Sequence, residues 1–322
     1  MKENKYILSI IVPVYNSSKY LPRFLKSVIS QKVDASFEVV FIDDGSLDNS
    51  VQVIHKYCRG RINYRILRQE NKKQAAARNF GLDVARGKYI YLCDSDDKLT
   101  NGCLKNMLDA MENNNAELYV CGVKIQFPKK TYIDSCFVFR QSKHIIEKYV
   151  TQNSESDVGL WNKCFVNKVI QKYNIRFDNG NFFEDSLFVL EYLSVIDLSK
   201  IYYTKFVGYI LYKNNGSTTR SFKAEIDILA KDYIDKASKI LRRYNFPSKV
   251  NIGFQNRINL HVLHHHIIFD KNFSDFKLKR YTRGRLLLKK FGGMLTFKYR
   301  LSVFFAWLFP RAYKNLYYHW KG

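Results

Sequence analysis

Asp94-Ser95-Asp96-Asp97 puts three carboxylates into four residues, directly after the apolar run Tyr89-Ile90-Tyr91-Leu92-Cys93. Carboxylates packed this closely repel one another unless a cation neutralises them. Oxygen ligands on a short loop suit a hard cation, Mg²⁺ or Mn²⁺, with diphosphate oxygens completing the shell. Asp and Ser also favour turns, so a hydrogen-bonded turn accounts for the same residues equally well. A second acidic group, Asp43-Asp44-Gly45-Ser46, ends another apolar run and reads as a binding loop or as a turn into a helix capped by Ser46 or Asp48. Arg78 lies in an Ala-rich segment, where a solvated arginine is unremarkable. His261, His264, His265 and His266 invite a zinc site, since His261 and His265 share a helix face. No Cys or carboxylate is arranged with them, and a polar helix face is the better account.

These residues need elements to hold them. Tyr6 to Val12 is a short apolar run, as in a strand buried on both faces, and is expected to stop at Pro13. Ser17 or Ser18 offers an N-cap for a helix through Leu21, Phe24, Leu25 and Val28. Strands are expected at 37–42, 62–67, 88–93 and 117–123, with helices through Val51–Tyr57, Gln74–Ala85 and Leu104–Met111 between them. That alternation argues for a largely parallel sheet with helices on both faces. Ligands of such sheets bind beyond the carboxyl ends of the strands. Tyr15, Asp43-Asp44 and Asp94 to Asp97 each follow a strand and should converge on one crevice. Residues 124–160 are less regular, 223–270 look helical, and 277–320 are basic and aromatic, broken at Gly292-Gly293.

The chain has 322 residues, 46% of them hydrophobic, with a formal charge of +24. The excess is concentrated at the end: residues 271–322 carry thirteen Lys or Arg against Asp275 alone. A basic tail reads as a surface for anionic lipid or nucleic acid. Nucleic acid leaves the carboxylate cluster unexplained, because its sign opposes a phosphate backbone. The six cysteines form no Cys-x-x-Cys pair, which fits reduced thiols in the cytosol. Met1 to Tyr6 is polar and no signal peptide is read. No apolar run approaches the roughly 20 residues of a membrane span.

Five segments then occur in a recognisable order: Pro13-Val14-Tyr15-Asn16, Asp43-Asp44-Gly45-Ser46, Ala77-Arg78-Asn79-x-Gly81, Gly87-Lys88-Tyr89-Ile90 and Asp94-Ser95-Asp96-Asp97. Together they resemble glycosyltransferase family 2, whose catalytic domain has the GT-A fold, an α/β, Rossmann-like, mostly parallel sheet flanked by helices. The resemblance covers about residues 6–216. It implies a catalytic domain over 1–216, with a nucleotide-sugar half at about 6–123 and an acceptor half at about 124–216. A helical, basic C-terminal region would follow over 217–322.

The implied chemistry is inverting transfer from a nucleotide diphosphate sugar, most often a UDP-sugar, by a hexosyl- or N-acetylhexosaminyltransferase. By position in the motifs, Pro13 and Tyr15 border the nucleobase and Asp43 bonds the base or ribose, with Asp44 nearby. Arg78 lies near the nucleotide, Asp94 contacts ribose or sugar with Ser95 beside it, and Asp96 reaches Mn²⁺ or Mg²⁺. Trp161-Asn162-Lys163 and Phe182-Phe183-Glu184-Asp185 resemble acceptor-side motifs. Asp185 resembles the general base, with Glu184 orienting it or touching the acceptor, although a pair capping the helix through Leu187, Leu190 and Leu193 is the alternative. Lys213 stands where the family often has an arginine near the diphosphate, keeping the charge without the bidentate fork. Lys72-Lys73-Gln74-Ala75 departs from the Gly-Gly or Gly-x-Ser that often precedes Ala-Arg-Asn.

A dinucleotide oxidoreductase is disfavoured, since no Gly-x-Gly-x-x-Gly turn follows the first strand. A nucleotidyltransferase and an inactive sugar-nucleotide-binding module are the alternatives. The basic, aromatic tail fits interfacial binding to an anionic membrane. The expected location is therefore the inner face of the plasma membrane, close to the lipid-linked glycan acceptors that many bacterial family members use for surface polysaccharides.

Overall fold

A computed structural model of the chain describes residues 5–140, 144–178, 183–213, 225–270, 272–286 and 295–321. The strands among them are β1 Tyr6–Val14, β2 Phe37–Asp43, β3 Asn63–Arg68, β4 Gly87–Leu92, β5 Lys98–Leu99, β6 Leu118–Gln126, β7 Thr131–Asp134, β8 Lys163–Val166 and β9 Ile201–Tyr212. They form one sheet in the order β3-β2-β1-β4-β8-β6-β9-β5, with β7 paired to β6. β3, β2, β1 and β4 are mutually parallel, as the alternation of strand and helix signals requires. Beyond β4 the sheet is mixed: β8 runs antiparallel to both β4 and β6, while β9 is parallel to β6.

β1, β2 and β4 are largely buried, β3 at the edge is only half-buried, and the coverings of the two faces differ in kind. On one face the helix Leu21–Ile29 buries Leu21, Phe24, Leu25 and Val28 in a core that includes Ile10, Val12, Val39 and Phe41. On the other face Val40 and Ile42 pack with Ala77, from the helix Lys73–Val84. That helix can lie flush on the sheet because its inward residues are small. A Cβ at Gly81 would come within 2.3 Å of the Ile11 side chain. The Ala-rich composition of this segment is thus a packing requirement.

Two boundaries differ from the sequence expectation. β1 does not stop at Pro13 but continues to Val14, in register with Ile42 and Asp43 of β2. Ladder bonds alternate sides: Ile11 accepts from Cys93 beyond β4, and Val14 accepts from Asp44 beyond β2. Pro13 therefore points its missing N–H toward the β4 side, where pairing has already ended at Leu92, so no ladder bond is lost. Ser17 does not cap the following helix with its hydroxyl. Its carbonyl accepts from Tyr20 and Leu21, and its Oγ turns back to the Tyr15 carbonyl.

The chain divides into two compact units. One holds the sheet and comprises 5–140, 154–178 and 184–213 of the described residues. The other holds 144–153, Phe183 and 225–321, so the helix Ile145–Gln152 belongs with it despite its place in the sequence. Its remaining helices are Ile226–Arg243, Ser248–Phe269, Asp275–Arg285, Phe297–Leu308 and Pro310–Lys321. Tyr233 anchors its interior, stacked on Phe183 and edge-on to Phe254. The break at Gly292-Gly293 and the pair Lys289-Lys290 lie outside the described residues.

The histidines of the Ser248–Phe269 helix do not form a polar face. His265 and His266 are buried, and each ring has its own contacts. His264 Nε2 lies 2.6 Å from the Tyr313 hydroxyl and its ring stacks on Tyr317. His266 Nε2 lies 2.7 Å from Asp227, and His265 packs on Phe269. Among the described residues no group of three or more His, Cys, Asp or Glu is arranged to hold a metal. All six cysteines are buried and free.

The backbones of β1 and β4 come close at Gly87, the first residue of β4. A Cβ there would lie 2.4 Å from the Ser9 nitrogen and 2.7 Å from the Leu8 carbonyl carbon, neither of which can move by a rotamer change. Gly87→Ala is expected to lower the unfolding free energy by about 1–3 kcal/mol. The shift should appear as a lower urea midpoint at unchanged slope. An unaltered midpoint would show that β1 and β4 are not packed this closely.

Candidate active site

The loops after β1, β2 and β4 are tied together, which gives the crevice its rim. Asn16 carries a left-handed φ of 47°. Its backbone N–H donates to Ser46 Oγ at 3.1 Å, while its side chain accepts from the Leu47 N–H at 2.9 Å. The Ser95 hydroxyl donates to Ser17 Oγ at 2.9 Å, fastening the β4 loop to the β1 loop. Pro13 is buried within β1, whereas Tyr15 at the rim is exposed and presents a free ring face.

The acidic residues are not equivalent. Asp43 is buried and accepts from the Ser46 N–H at 2.9 Å, closing the turn. Its second oxygen makes no hydrogen bond and lies 3.4 Å from Arg68 Nε. Asp44 is also buried and accepts from Gln69 and from the Lys72 N–H. Asp97, the last carboxylate of the cluster, accepts from the Tyr212 N–H at 2.8 Å and so anchors the end of β9. Burial and the Asp94 and Asp96 charges raise the Asp97 pKa. Asp96 is under-compensated as well: burial and the neighbouring Asp94 charge push its carboxyl up to about 6, against the pull of Arg23 and Lys213. A small divalent ion that also binds diphosphate needs only one or two protein carboxylates, and Asp96 fits that demand.

Arg78, expected near a nucleotide, lies among acidic side chains. Its guanidinium is buried and gathers three carboxylates: Nη1 donates to Asp185 at 2.7 Å and to Glu184 at 3.3 Å, and Nη2 donates to Asp94 at 3.0 Å. Burial alone would weaken its charge, but the three anions outweigh that and raise its pKa. Phe177 lies 5.3 Å from the guanidinium. Glu184 and Asp185 occupy the first turn of the helix Glu184–Leu193. There they act as ligands of Arg78, and Asp185 still keeps a partly exposed carboxyl. Burial raises the Asp185 pKa, with Arg78 opposing and Asp94 adding to the rise. Phe182, Gly216 and Ser217 lie outside the described residues.

Trp161 and Lys163, expected on the acceptor side, are both buried. Trp161 stacks on Tyr209 and its carbonyl accepts from the Tyr91 hydroxyl. Lys163 is fully buried, and its ammonium donates to the Ser156 and Gly159 carbonyls and to Asn162 Oδ1, which satisfies all three hydrogens. Lys213 pairs with Glu155 and remains near enough to Asp96 to lower its pKa.

Three further residues belong to the site. Gln74 donates to Asp94 at 2.8 Å. Arg23 donates to the Asp96 carbonyl and lies 3.5 Å over the Tyr212 ring. Tyr209, buried on β9, accepts from the Asp94 N–H. None carried a local signal, since each is defined by what it meets across the sheet. Lys73 adopts a φ of 68°, the left-handed backbone that glycine takes without strain, at the position where the sequence departs from the glycine-rich pattern.

A sheet with this order and a strand-end carboxylate cluster defines a GT-A fold. Over 97% of the chain it superposes on 88% of the TarS 1–349 structure from S. aureus, with a TM-score of 0.68 at 19% identity. A mannosyltransferase from Pyrobaculum calidifontis, solved with GDP-Man and Mn²⁺, covers 98% of the chain and 87% of its own, at TM-score 0.54 and 14% identity. Residues 9–171 match the family model for glycosyl transferase family 2, and the chain belongs to that family. Glycosyltransferase GlyG of Streptococcus pneumoniae is 28% identical over 72% of this chain and 79% of its own length. The Staphylococcus aureus poly(ribitol-phosphate) beta-N-acetylglucosaminyltransferase TarP is 27% identical over 58% of this chain and 57% of its own.

The Arg78 cluster yields a stability cycle. Arg78→Gln leaves three carboxylates facing one another and is expected to cost about 2–4 kcal/mol, toward the low end because the acids reach solvent. Adding Asp185→Asn should recover part of that loss, whereas Asp185→Asn alone should be close to neutral. Urea unfolding of the four proteins measures the coupling. A coupling of zero would mean that Arg78 and Asp185 are not paired in solution.

Proposed function

We propose that the protein is an inverting glycosyltransferase that moves a sugar from a UDP-sugar to a hydroxyl of a lipid-linked glycan in surface-polysaccharide synthesis. The observation that carries this reading is Asp185. It is a partly exposed carboxylate of raised pKa, bridged through Arg78 to Asp94 at the end of the donor-side strand. In the proposed step the acceptor hydroxyl oxygen attacks the anomeric carbon from the side opposite the phosphate. The carbon–oxygen bond to the diphosphate breaks and its electron pair leaves with UDP. Asp185 takes the hydroxyl proton as the new bond forms, and Glu184 helps to orient it. Tyr15 offers a face to the base, Asp43 keeps one oxygen for the base or ribose, and Asp94 meets the ribose or sugar. Asp96 would hold Mn²⁺ or Mg²⁺, which neutralises the diphosphate charge as UDP departs. Lys213 adds a positive charge on the same side. Trp161 and Lys163 contribute by supporting the acceptor half from within.

The choice of a UDP-sugar is supported by the TarS 1–349 fragment, which has also been solved with UDP-GlcNAc and with UDP. The TarP name supports an N-acetylhexosaminyl donor and a surface polymer as acceptor. No helix among the described residues is long and apolar enough to cross a membrane. The basic C-terminal region is the part proposed to hold the enzyme against the anionic inner leaflet, where lipid-linked acceptors are found.

Two measurements test the reading. UDP binding followed by calorimetry should be strong with Mn²⁺ and weak with chelator, and Asp96→Asn should abolish the difference. Equal affinity in both conditions would remove the metal from the proposal. Asp185→Asn should leave UDP binding nearly unchanged and reduce transfer by about 10²–10⁴. The acid limb of the wild-type rate should sit above the ordinary aspartate range, because the base is held up by burial. Transfer at the wild-type rate by Asp185→Asn would make the residue an Arg78 ligand only.

A further inference from the structure

The helix Phe297–Leu308 is turned inside out. Its buried residues are the small Val303 and Ala306. Phe305 and Trp307 are half-buried, while four of its large apolar residues face solvent: Phe297 is 72% exposed, Leu301 55%, Phe304 49% and Leu308 44%. Their spacing of four, three and four keeps all of them within about 60° around the helix, at 100° per residue. On the same wheel Ala306 lies about 180° from Phe297, so the small residues pack inward and the stripe points away. Lys298 and Arg300, both exposed, stand at about 100° on one side of the stripe and 60° on the other. Phe309 continues the apolar surface past the helix end, 52% exposed.

The inward side of this region is already satisfied within its own unit. Phe305 meets Phe309 and Tyr313, and Tyr313 and Tyr317 stack with His264. Among the described residues the four side chains of the outward stripe make no ring contact and stay exposed. A soluble amphipathic helix buries its apolar stripe and exposes its polar face. Here the exposed face is apolar along its middle and cationic along its edges. An anionic leaflet matches that pattern. Leu and Phe enter the headgroup and acyl boundary, while Lys and Arg lie along the phosphates with their stems against the lipid. The helix of 12 residues spans only about 18 Å, so it can lie in the interface but not cross the hydrocarbon. A second copy of this chain would bring like charges edge to edge around the same stripe and is disfavoured.

We propose that Phe297, Leu301, Phe304 and Leu308 form a membrane-inserting stripe that lies in the plane of an anionic leaflet, with Lys298 and Arg300 as its electrostatic edges. This rests on the membrane reading above and deepens it, because it separates insertion by a defined helix face from general attraction of a basic tail. The two mechanisms respond differently to salt. Attraction alone is screened, whereas inserted apolar area is not.

The test is flotation of the full-length protein with vesicles of phosphatidylglycerol and phosphatidylcholine, at low and at high salt. Leu301→Ser with Phe304→Ser keeps the charge and removes apolar area. Lys298→Gln with Arg300→Gln does the reverse. Because Leu301 and Phe304 are exposed, the serine variant should melt like the wild type, which separates a binding defect from misfolding. Wild-type protein should float at low salt and retain much of its binding at high salt. The serine variant should bind at least about tenfold more weakly, and its remaining binding should vanish with salt. The glutamine variant should lose affinity mainly at low salt. A serine variant that floats like the wild type at both salts would overturn the stripe and leave the membrane reading standing. Wild-type protein that never floats would overturn both. A wild-type dimer by light scattering that becomes monomeric in the serine variant, with no flotation of either, would assign the stripe to a second copy and overturn the proposal.

Discussion

One guanidinium organises the catalytic half of the molecule. Arg78 meets Asp94, Glu184 and Asp185, which lie 16, 106 and 107 residues away in the chain. One positive charge among three negative ones leaves the cluster anionic, so the carboxylates are held together without being neutralised. That balance suits the proposed roles of the site, in which a cation is bound and a carboxylate takes up a proton. It also links the end of β4 to the first turn of the Glu184–Leu193 helix. A displacement of one would be felt by the other, through a buried ion pair whose loss is costly.

The rest of the site is arranged so that Arg78 can do this. The helix carrying it must approach the sheet closely, which the small side chains on its inner face allow. Asp43, Asp44 and Asp97 each accept a hydrogen bond from a backbone N–H of a neighbouring segment. These bonds shape the rim around Asp94, Asp96 and Asp185. Backbone N–H groups are fixed donors, so loops tied to them are more rigid than loops held by side chains alone. Lys163 acts in a similar way, its buried ammonium fixing the turn before β8 through two carbonyls and an amide.

The parallel half of the fold was readable because its signals are local. Apolar runs mark buried strands, three-to-four spacing marks helices, and a carboxylate cluster at a strand end marks where a ligand can sit. The order of the motifs added the family resemblance, and the family match over residues 9–171 agrees with it. The mixed half was harder to read. β8 has only four residues and is wedged between β4 and β6, and a strand that short carries little periodicity. The histidines misled for a related reason: a run of like residues suggests a shared purpose, but successive positions on a helix point in different directions.

By itself the sequence determined the alternation of strands and helices up to β4, the three polar loops that follow its strands and the basic character of the C-terminal region. All of these depend on neighbours within a few residues, where spacing alone settles which face a side chain takes. The tertiary structure decided which charges meet. It made Arg78 the ligand of three acids, and it buried Trp161 and Lys163. It also turned four large apolar residues of the Phe297–Leu308 helix outward. Periodicity can state that a helix has two faces, but only the packing of the elements around it decides which face is covered.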